Sequence, residues 1–413
     1  MSDINGKNVV MGFQHTFVMF GATVLVPLIT GLSISVTLFA AGIGTLLFHF
    51  LTKRKVPVFL GSSFAFIPPI MAVTAASGKE YALGGIVIAG LLYLVVAFIL
   101  YYVRKDVLHK IFPPQVTGPI IILIGLILAP VAIQSANGTN APQVVEMIGV
   151  GGSWGIAAFT FVVGVFVKIA FERFGWRFLS TLPVLIALIA GYILSAAIGI
   201  IDYSTIRDAS ILGLPDFSLP KFSGYAISLT VPVAIVTMIE HFGDVLAIGN
   251  VVGDDFLDDP GIHRTLMGDG LATSISAMIG GPANTTYSEN TGAVALTGNY
   301  NPIIMRIAAI FAIGLSLIPK FTAAIGTIPV PVIGGISILL FGMISSIGIK
   351  NMVDAKLDLT DPKFLIITAV MLVLGLGGAE FSAGNFVISG LGLSALVGII
   401  LNAILNYKSF KKA

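Results

Sequence analysis

Apolar residues run through this chain in long blocks separated by short polar stretches, without the three-to-four-residue alternation of a helix that packs against a soluble core. Ten blocks are well defined: 9–29, 33–51, 81–103, 118–135, 152–171, 178–201, 226–249, 303–325, 330–349 and 391–407. Most approach or exceed the roughly 20 residues that carry a helix across a bilayer. Four further blocks, 58–76, 267–281, 284–298 and 364–388, carry Pro, Gly, Ser, Asn or acidic residues at the same depth. The pattern therefore predicts an all-α polytopic membrane protein with 14 transmembrane segments. The opening MSDINGK has neither a basic n-region nor a cleavage site, so the first block is expected to stay in the membrane as a span.

Composition narrows this further. Of 413 residues, 56% are hydrophobic and 10% charged, against about 25% charged in an average soluble domain. Mean hydropathy is +1.01. A net charge of +2 offers no basic face for nucleic acid, and the absence of Cys removes disulfides, Cys-ligated metals and thiol nucleophiles.

The few cations are placed unevenly. With the N-terminus in the cytoplasm, Lys53, Arg54, Lys55, Arg104, Lys105, Lys110, Arg173, Arg177, Arg264, Arg306, Lys350, Lys356, Lys363, Lys408, Lys411 and Lys412 fall on that side. Lys79, Arg207, Lys221 and Lys320 fall on the other. The positive-inside rule then predicts both termini cytoplasmic and an even number of spans. Asp254, Asp255, Asp258 and Asp259 crowd the 250–265 loop. Their spacing is not that of an EF-hand, and a solvated loop is the expectation.

The chain also repeats itself. Pro114, Gly118 and Gly125 recur as Pro331, Gly335 and Gly342, an offset of 217. At an offset of 226, Gln14-His15 matches Glu240-His241 and Ser63 matches Glu289. Each pair relates span n to span n+7, and because seven is odd the halves must be inverted. Inverted repeats of this kind build secondary transporters, with the substrate near the midplane at the repeat interface.

Spans 3 and 10 are the corresponding weak pair. VPVFLGSSFAFIPP (56–69) has Gly61 and Pro68-Pro69; GGPANTTYSENTGAVAL (280–296) has Pro282 and a polar run. Neither makes a continuous helix, and open backbone at membrane depth survives only inside protein or along a cavity. The competing reading is a pair of kinked helices without a ligand.

Five ionisable residues gather in spans 8–10: Glu240, His241, Asp244, Asp269 and Glu289. Each costs about 2.5–3.5 kcal/mol at mid-bilayer on insertion scales, which argues for a function. On a helix Glu240 and Asp244, four apart, share a face, whereas His241 points about 100° away. His241, like His15, reads equally as a packing histidine or a proton carrier. Asp244 and Asp269 read as binding, supporting or helix-capping groups. A buried carboxylate can take up and release a proton, or hold Na⁺ with backbone carbonyls, and the residues leave both open. No HExxH, Walker loop or G-x-S-x-G elbow points to an enzyme.

QHTFVMFGATVLVP (14–27), GSSFAFIPP (61–69), EHFGD (240–244), GDGLAT (268–273) and GGPANTTYSENTGAVALTG (280–298) resemble the nucleobase:cation symporter family 2 (nucleobase–ascorbate transporters), and among them the bacterial uracil permeases. The resemblance implies two inverted repeats of seven spans with short β-strands in spans 3 and 10. It also implies a core domain in two parts (1–110 and 226–327), a gate domain in two parts (111–225 and 328–413), and a homodimer in a bacterial cytoplasmic membrane. Position by position, Glu240 and Glu289 match the acids that hold the base. Backbone amides at Phe64 and Ser288 match those that reach its carbonyls, flanked by Ser63 and Tyr287. Asp269 matches an acidic span 9 position important in the family, and Asn290 matches the neighbour of the span 10 acid. Uracil, with N–H donors beside C=O acceptors, suits carboxylates alternating with backbone donors. Two positions depart from the pattern: Ser288 stands where some permeases have Gly, and Asp244 where some have a His linked to proton coupling.

The resemblance thus implies proton-coupled uracil import with no resident cofactor or metal. Glu289 favours uracil, because xanthine and purine members tend to carry Gln there. A purine or broad nucleobase symporter, coupled to H⁺ or Na⁺, is the alternative. An anion transporter or channel of the same architecture would place a basic residue near the span 3/span 10 crossing, where this chain has acids.

Overall fold

The computed structural model describes residues 5–102, 113–176, 178–384 and 386–406, with Ser288 and Glu289 described in their backbone only. Arg104, Lys105, Lys110, Arg177, Lys408, Lys411 and Lys412 therefore lie outside the described residues. The chain runs α1 (Gly6–Thr30), α2 (Ile34–Leu51), β1 (Leu60–Ser62), a 3₁₀ turn (Phe64–Phe66) leading into α3 (Ile67–Ser77), and α4 (Lys79–Tyr102). It continues through α5 (Pro114–Ile127), α6 (Ala129–Ala136), α7 (Pro142–Arg173), α8 (Pro183–Ile198) and the short α9 (Ser204–Asp208). Then follow α10 (Gly224–Val252), α11 (Ile262–Met278), β2 (Asn284–Thr286) and α12 (Ser288–Thr297). The last elements are α13 (Ile303–Ser316), α14 (Pro319–Gly326), α15 (Val330–Asp354), α16 (Pro362–Leu376), β3 (Glu380–Ala383), β4 (Phe386–Ser389) and α17 (Gly390–Leu405).

Among the described residues, seven stretches are long and apolar enough to cross a membrane: α1, α2, α4, α5 with α6, α7, α10 and α15. The pair α13–α14, bent by 85°, makes an eighth if counted as one span. Helix ends carry their usual chemistry. The Asn5, Ser33, Ser223 and Asp361 side chains accept first-turn N–H groups, and Gly31 closes α1 in the left-handed region at φ 72°.

Polarity is arranged for lipid. Val95 and Phe98 on α4, and Val162, Phe166 and Ile169 on α7, are exposed at successive helical turns. His15, His49, Asp269, Asn284 and Asn290 are buried. Helices approach closely at glycines. A Cβ on Gly125 of α5 would stand 2.2 Å from the Phe341 carbonyl of α15, and one on Gly90 of α4 would stand 2.6 Å from the Gly270 carbonyl of α11. Without lipid-phase hydrophobic drive, such close backbone approach supplies the packing that holds membrane helices together.

The two weak spans break as expected. β1 and β2 pair antiparallel in the register Leu60↔Thr286, Gly61↔Thr285, Ser62↔Asn284. The Ser63 amide donates to the Ala283 carbonyl (2.9 Å) and the Tyr287 amide to the Phe59 carbonyl (3.3 Å), extending the ladder at both ends. Two expectations change. The block at 364–388 is not one span: its helix stops at Leu376, and β3 and β4 form a hairpin with Ala383 opposite Phe386. Glu380 starts that hairpin. In the acidic 250–265 segment Phe256, Leu257 and Pro260 are buried, and both Lys53 and Lys55 clasp the Asp259 carboxylate. The segment is thus tied to the α2–β1 connection.

Candidate functional site

Each strand is followed at once by a helix start, so two helix N-termini converge where β1 crosses β2. Neither the 3₁₀ turn after Ser63 nor α12 after Tyr287 has a side-chain cap. Their first N–H groups are therefore open to acceptors on a ligand. Beside this crossing lies a cavity of about 230 Å³. Pockets for drug-sized ligands hold roughly 300–1,000 Å³, so this one suits a smaller molecule.

The two walls differ in chemistry. Ser63, Phe64, Thr285 and Tyr287 come from the strand crossing, while α10 contributes Glu240, Gly243, Asp244 and Ala247, one helical face. Ile121 and Ile124 of α5 and Ile344 and Ile347 of α15 form the opposite wall. Phe64 meets Phe341 of α15 edge-on, with ring centroids 5.9 Å apart. A flat polar molecule would thus have carboxylates and amides around its edge and aliphatic carbon over a face.

His241 and Asp269 stand elsewhere, behind β2. The Asp269 Oδ2 accepts the Thr286 amide (3.0 Å) and its Oδ1 accepts the Thr286 hydroxyl (2.9 Å). His241 Nδ1 lies 2.9 Å from Asp269 Oδ2 and 3.0 Å from the Thr286 hydroxyl, and its Nε2 lies 2.9 Å from the Thr265 hydroxyl. The Thr286 hydroxyl donates to Asp269, and the Thr265 hydroxyl also lies 3.0 Å from the Ile262 carbonyl. Nδ1–H donates to the Asp269 carboxylate, and the Thr265 hydroxyl can turn to donate to Nε2. His241 and Asp269 make a buried hydrogen-bonded pair that positions β2 and does not line the cavity.

Tyr287 is held from the other side. Its hydroxyl donates to the Ser62 carbonyl (2.9 Å), and its ring covers Gly61 so closely that a Cβ there would stand 2.5 Å from Cζ. The Asn290 amide donates to the Pro57 carbonyl (2.9 Å), fastening α12 to the segment that leads into β1. His15, buried on α1, neighbours Asn290.

Of the residues singled out from sequence, Ser63, Phe64, Tyr287, Glu240 and Asp244 meet at the cavity, while His241, Asp269 and Asn290 brace the strands behind it. Ser288 and Glu289 begin α12; their side chains lie outside the described residues. Sequence reasoning missed Thr286, the hub of the buried network, and the four isoleucines. The polar run at 284–290 signalled Thr286, but nothing distinguishes those isoleucines from lipid-facing ones.

A model of the Permease family (Xan_ur_permease) matches residues 6–383. The "Probable uracil permease" of Pasteurella multocida is 41% identical over 401 residues, covering 97% of this chain and 94% of that one. The "Uracil permease" of Bacillus caldolyticus is 42% identical over 409 residues, covering 97% and 92%. Among solved structures, the transmembrane domain of the cyanobacterial bicarbonate transporter BicA superposes with a TM-score of 0.67 at 16% identity, covering 96% of this chain and 97% of that one. At that identity the likeness concerns the fold alone. Match length, identity and coverage together place the chain: it is a multi-pass membrane protein and belongs to the Permease family, the nucleobase:cation symporter family 2.

Proposed function

We propose that this protein is a transporter, not an enzyme, and that it imports uracil across a bacterial cytoplasmic membrane by proton symport with alternating access. The observation that carries the reading is the cavity at the β1–β2 crossing, which brings the Glu240 and Asp244 carboxylates together with two helix starts that lack side-chain caps. Uracil presents N–H donors and C=O acceptors around one flat ring, the complement of that edge. The names of the relatives at 41–42% identity agree with it. In this reading Glu240 and, by family resemblance, Glu289 take the ring N–H groups. The amides of Phe64 and Ser288 reach the carbonyls, and Ser63 and Tyr287 shape the rim.

Coupling falls to Asp244, beside the base, with Asn290, His241 and Asp269 supporting the strands. The contact of His241 with Asp269 behind β2 supports a positioning role for both. Fourteen segments in two inverted repeats underlie the mechanism. In favour of that arrangement, α5 and α15, the pair bearing the repeated Pro-x3-Gly-x6-Gly, pack antiparallel at Gly118 against Met352 and Gly125 against Phe341. Residues 1–110 with 226–327 then form the moving core and 111–225 with 328–413 the gate, with both termini cytoplasmic and the protein a homodimer.

The test is uptake of labelled uracil into proteoliposomes at two pH values, with and without Na⁺, against a panel of nucleobases. Saturable uptake should collapse with the pH gradient, persist without Na⁺, and fall with Glu289→Ala. Competition by xanthine and not by unlabelled uracil would overturn the assignment in favour of a purine carrier.

A further inference from the structure

A second cleft, of about 420 Å³, opens between α1 and α12 on one side and α7, α8 and α15 on the other. Phe17, Ala22, Leu296, Leu340 and Met343 make its depth apolar, and Lys168 of α7 and Lys350 of α15 stand on its lining. It shares Gly292, Ile347 and Lys350 with the substrate cavity.

The lysines have a definite depth. Lys168 lies five residues before the end of α7 at Arg173, and Lys350 four before the end of α15 at Asp354. At 1.5 Å per residue both sit within about 8 Å of a helix end, where headgroups meet hydrocarbon. Leu340 lies ten residues further up α15, so the apolar cleft reaches about 15 Å beyond Lys350, the hydrocarbon depth of one leaflet. Lys350 pairs with Asp354 at an exposed position (3.0 Å). Lys168 forms no ion pair among the described residues, and Glu172, one turn on, is exposed. A cation beside an apolar cleft of leaflet depth calls for an anion carrying a chain.

We infer that this cleft binds one anionic phospholipid from the leaflet on the lysine-rich side, its phosphate at Lys168 and Lys350 and an acyl chain between α1/α12 and α15. Charge and depth select this occupant: a zwitterionic lipid brings its own cation beside Lys168 and leaves the net positive charge unbalanced, and a free anion leaves the apolar length unfilled. The lipid borders the substrate cavity and fills space between the two groups of helices.

Native mass spectrometry of the delipidated full-length protein tests this, titrating phosphatidylglycerol against phosphatidylcholine of the same chains. One phosphatidylglycerol should bind in preference. Lys168→Gln should weaken it about fivefold, the effect of one lysine near a charged lipid surface, and Lys168→Arg should restore it. Met343→Trp should block the chain and reduce occupancy, with thermal unfolding confirming that each variant is folded. Equal retention of the two lipids, or unchanged binding in Lys168→Gln, would overturn the proposal. So would full displacement by millimolar inorganic phosphate, which would make this an anion site without a lipid.

Discussion

Replacing Asp269 by Asn keeps the size of the side chain and removes its charge. In the native protein this fully buried carboxylate accepts the Thr286 amide and hydroxyl and pairs with His241. An amide has one acceptor oxygen. If it faces the Thr286 amide and His241, the NH₂ group confronts a hydroxyl that now has nowhere to donate; if it is flipped, two donors confront the NH₂. In both orientations the negative charge that faces His241 and Thr286 is gone. Removing one member of a buried ion pair costs about 3–5 kcal/mol, whereas losing a neutral hydrogen bond costs about 1 kcal/mol. The size of the effect therefore also reports the charge on His241. β2 carries Thr285 into the cavity, so uracil binding should weaken together with stability.

The assay is thermal unfolding in detergent and equilibrium uracil binding for Asp269→Asn, His241→Gln and the double variant. A coupling of about 0.5–3 kcal/mol between the two positions is expected for residues in direct contact. Asp269→Asn with native stability and uracil affinity, or strictly additive single effects, would refute the coupling of His241 to Asp269.

Other substitutions test other joints of the site. Gly61→Ala drives a methyl into the Tyr287 ring (2.5 Å to Cζ) and should cost about 1–3 kcal/mol of overpacking, read as an about 5- to 150-fold loss of uracil affinity by isothermal titration if the strain falls on the bound state. Gly125→Ala meets the Phe341 carbonyl at 2.2 Å and should lower the unfolding temperature, whereas Gly342→Ala, with nothing within 4 Å, should leave it unchanged. At the helix ends, hydrogen bonds from Lys55 and Lys53 hold the Asp259 carboxyl below its ordinary range. A carboxyl lowered in the native state stabilises above its ordinary range, and that stabilisation is lost as pH falls through the lowered value. The unfolding-temperature difference between the native protein and Asp259→Asn should therefore be flat from pH 8 to 5, vanish in stronger acid, and shrink with added salt.

How far the sequence reached can be judged residue by residue. It was enough to show a membrane protein, because 10% charged residues cannot solvate a soluble surface. It located the broken spans, because Gly61, Pro68-Pro69 and Pro282 act on their own backbone whatever surrounds them. It put Glu240 and Asp244 on one face, because that follows from helical pitch. The β3–β4 hairpin was also legible, in two short runs around Gly384-Asn385, but the hydropathy of 364–388 hid it.

Only the tertiary structure decided the rest. His241 adjoins Glu240 in sequence, yet it serves the far side of β2, because its partners Thr265, Asp269 and Thr286 come from other elements. Gly125 and Gly342 are equivalent by repeat, yet one lies under a carbonyl and the other in open space, because close approach depends on which helix packs alongside. Ile121 and Ile344 look like any lipid-facing isoleucine until α5 and α15 are brought against the strands. Local chemistry says where a membrane chain must break and where charge is costly. Which side chains then meet is a matter of long-range packing, which a linear pattern does not contain.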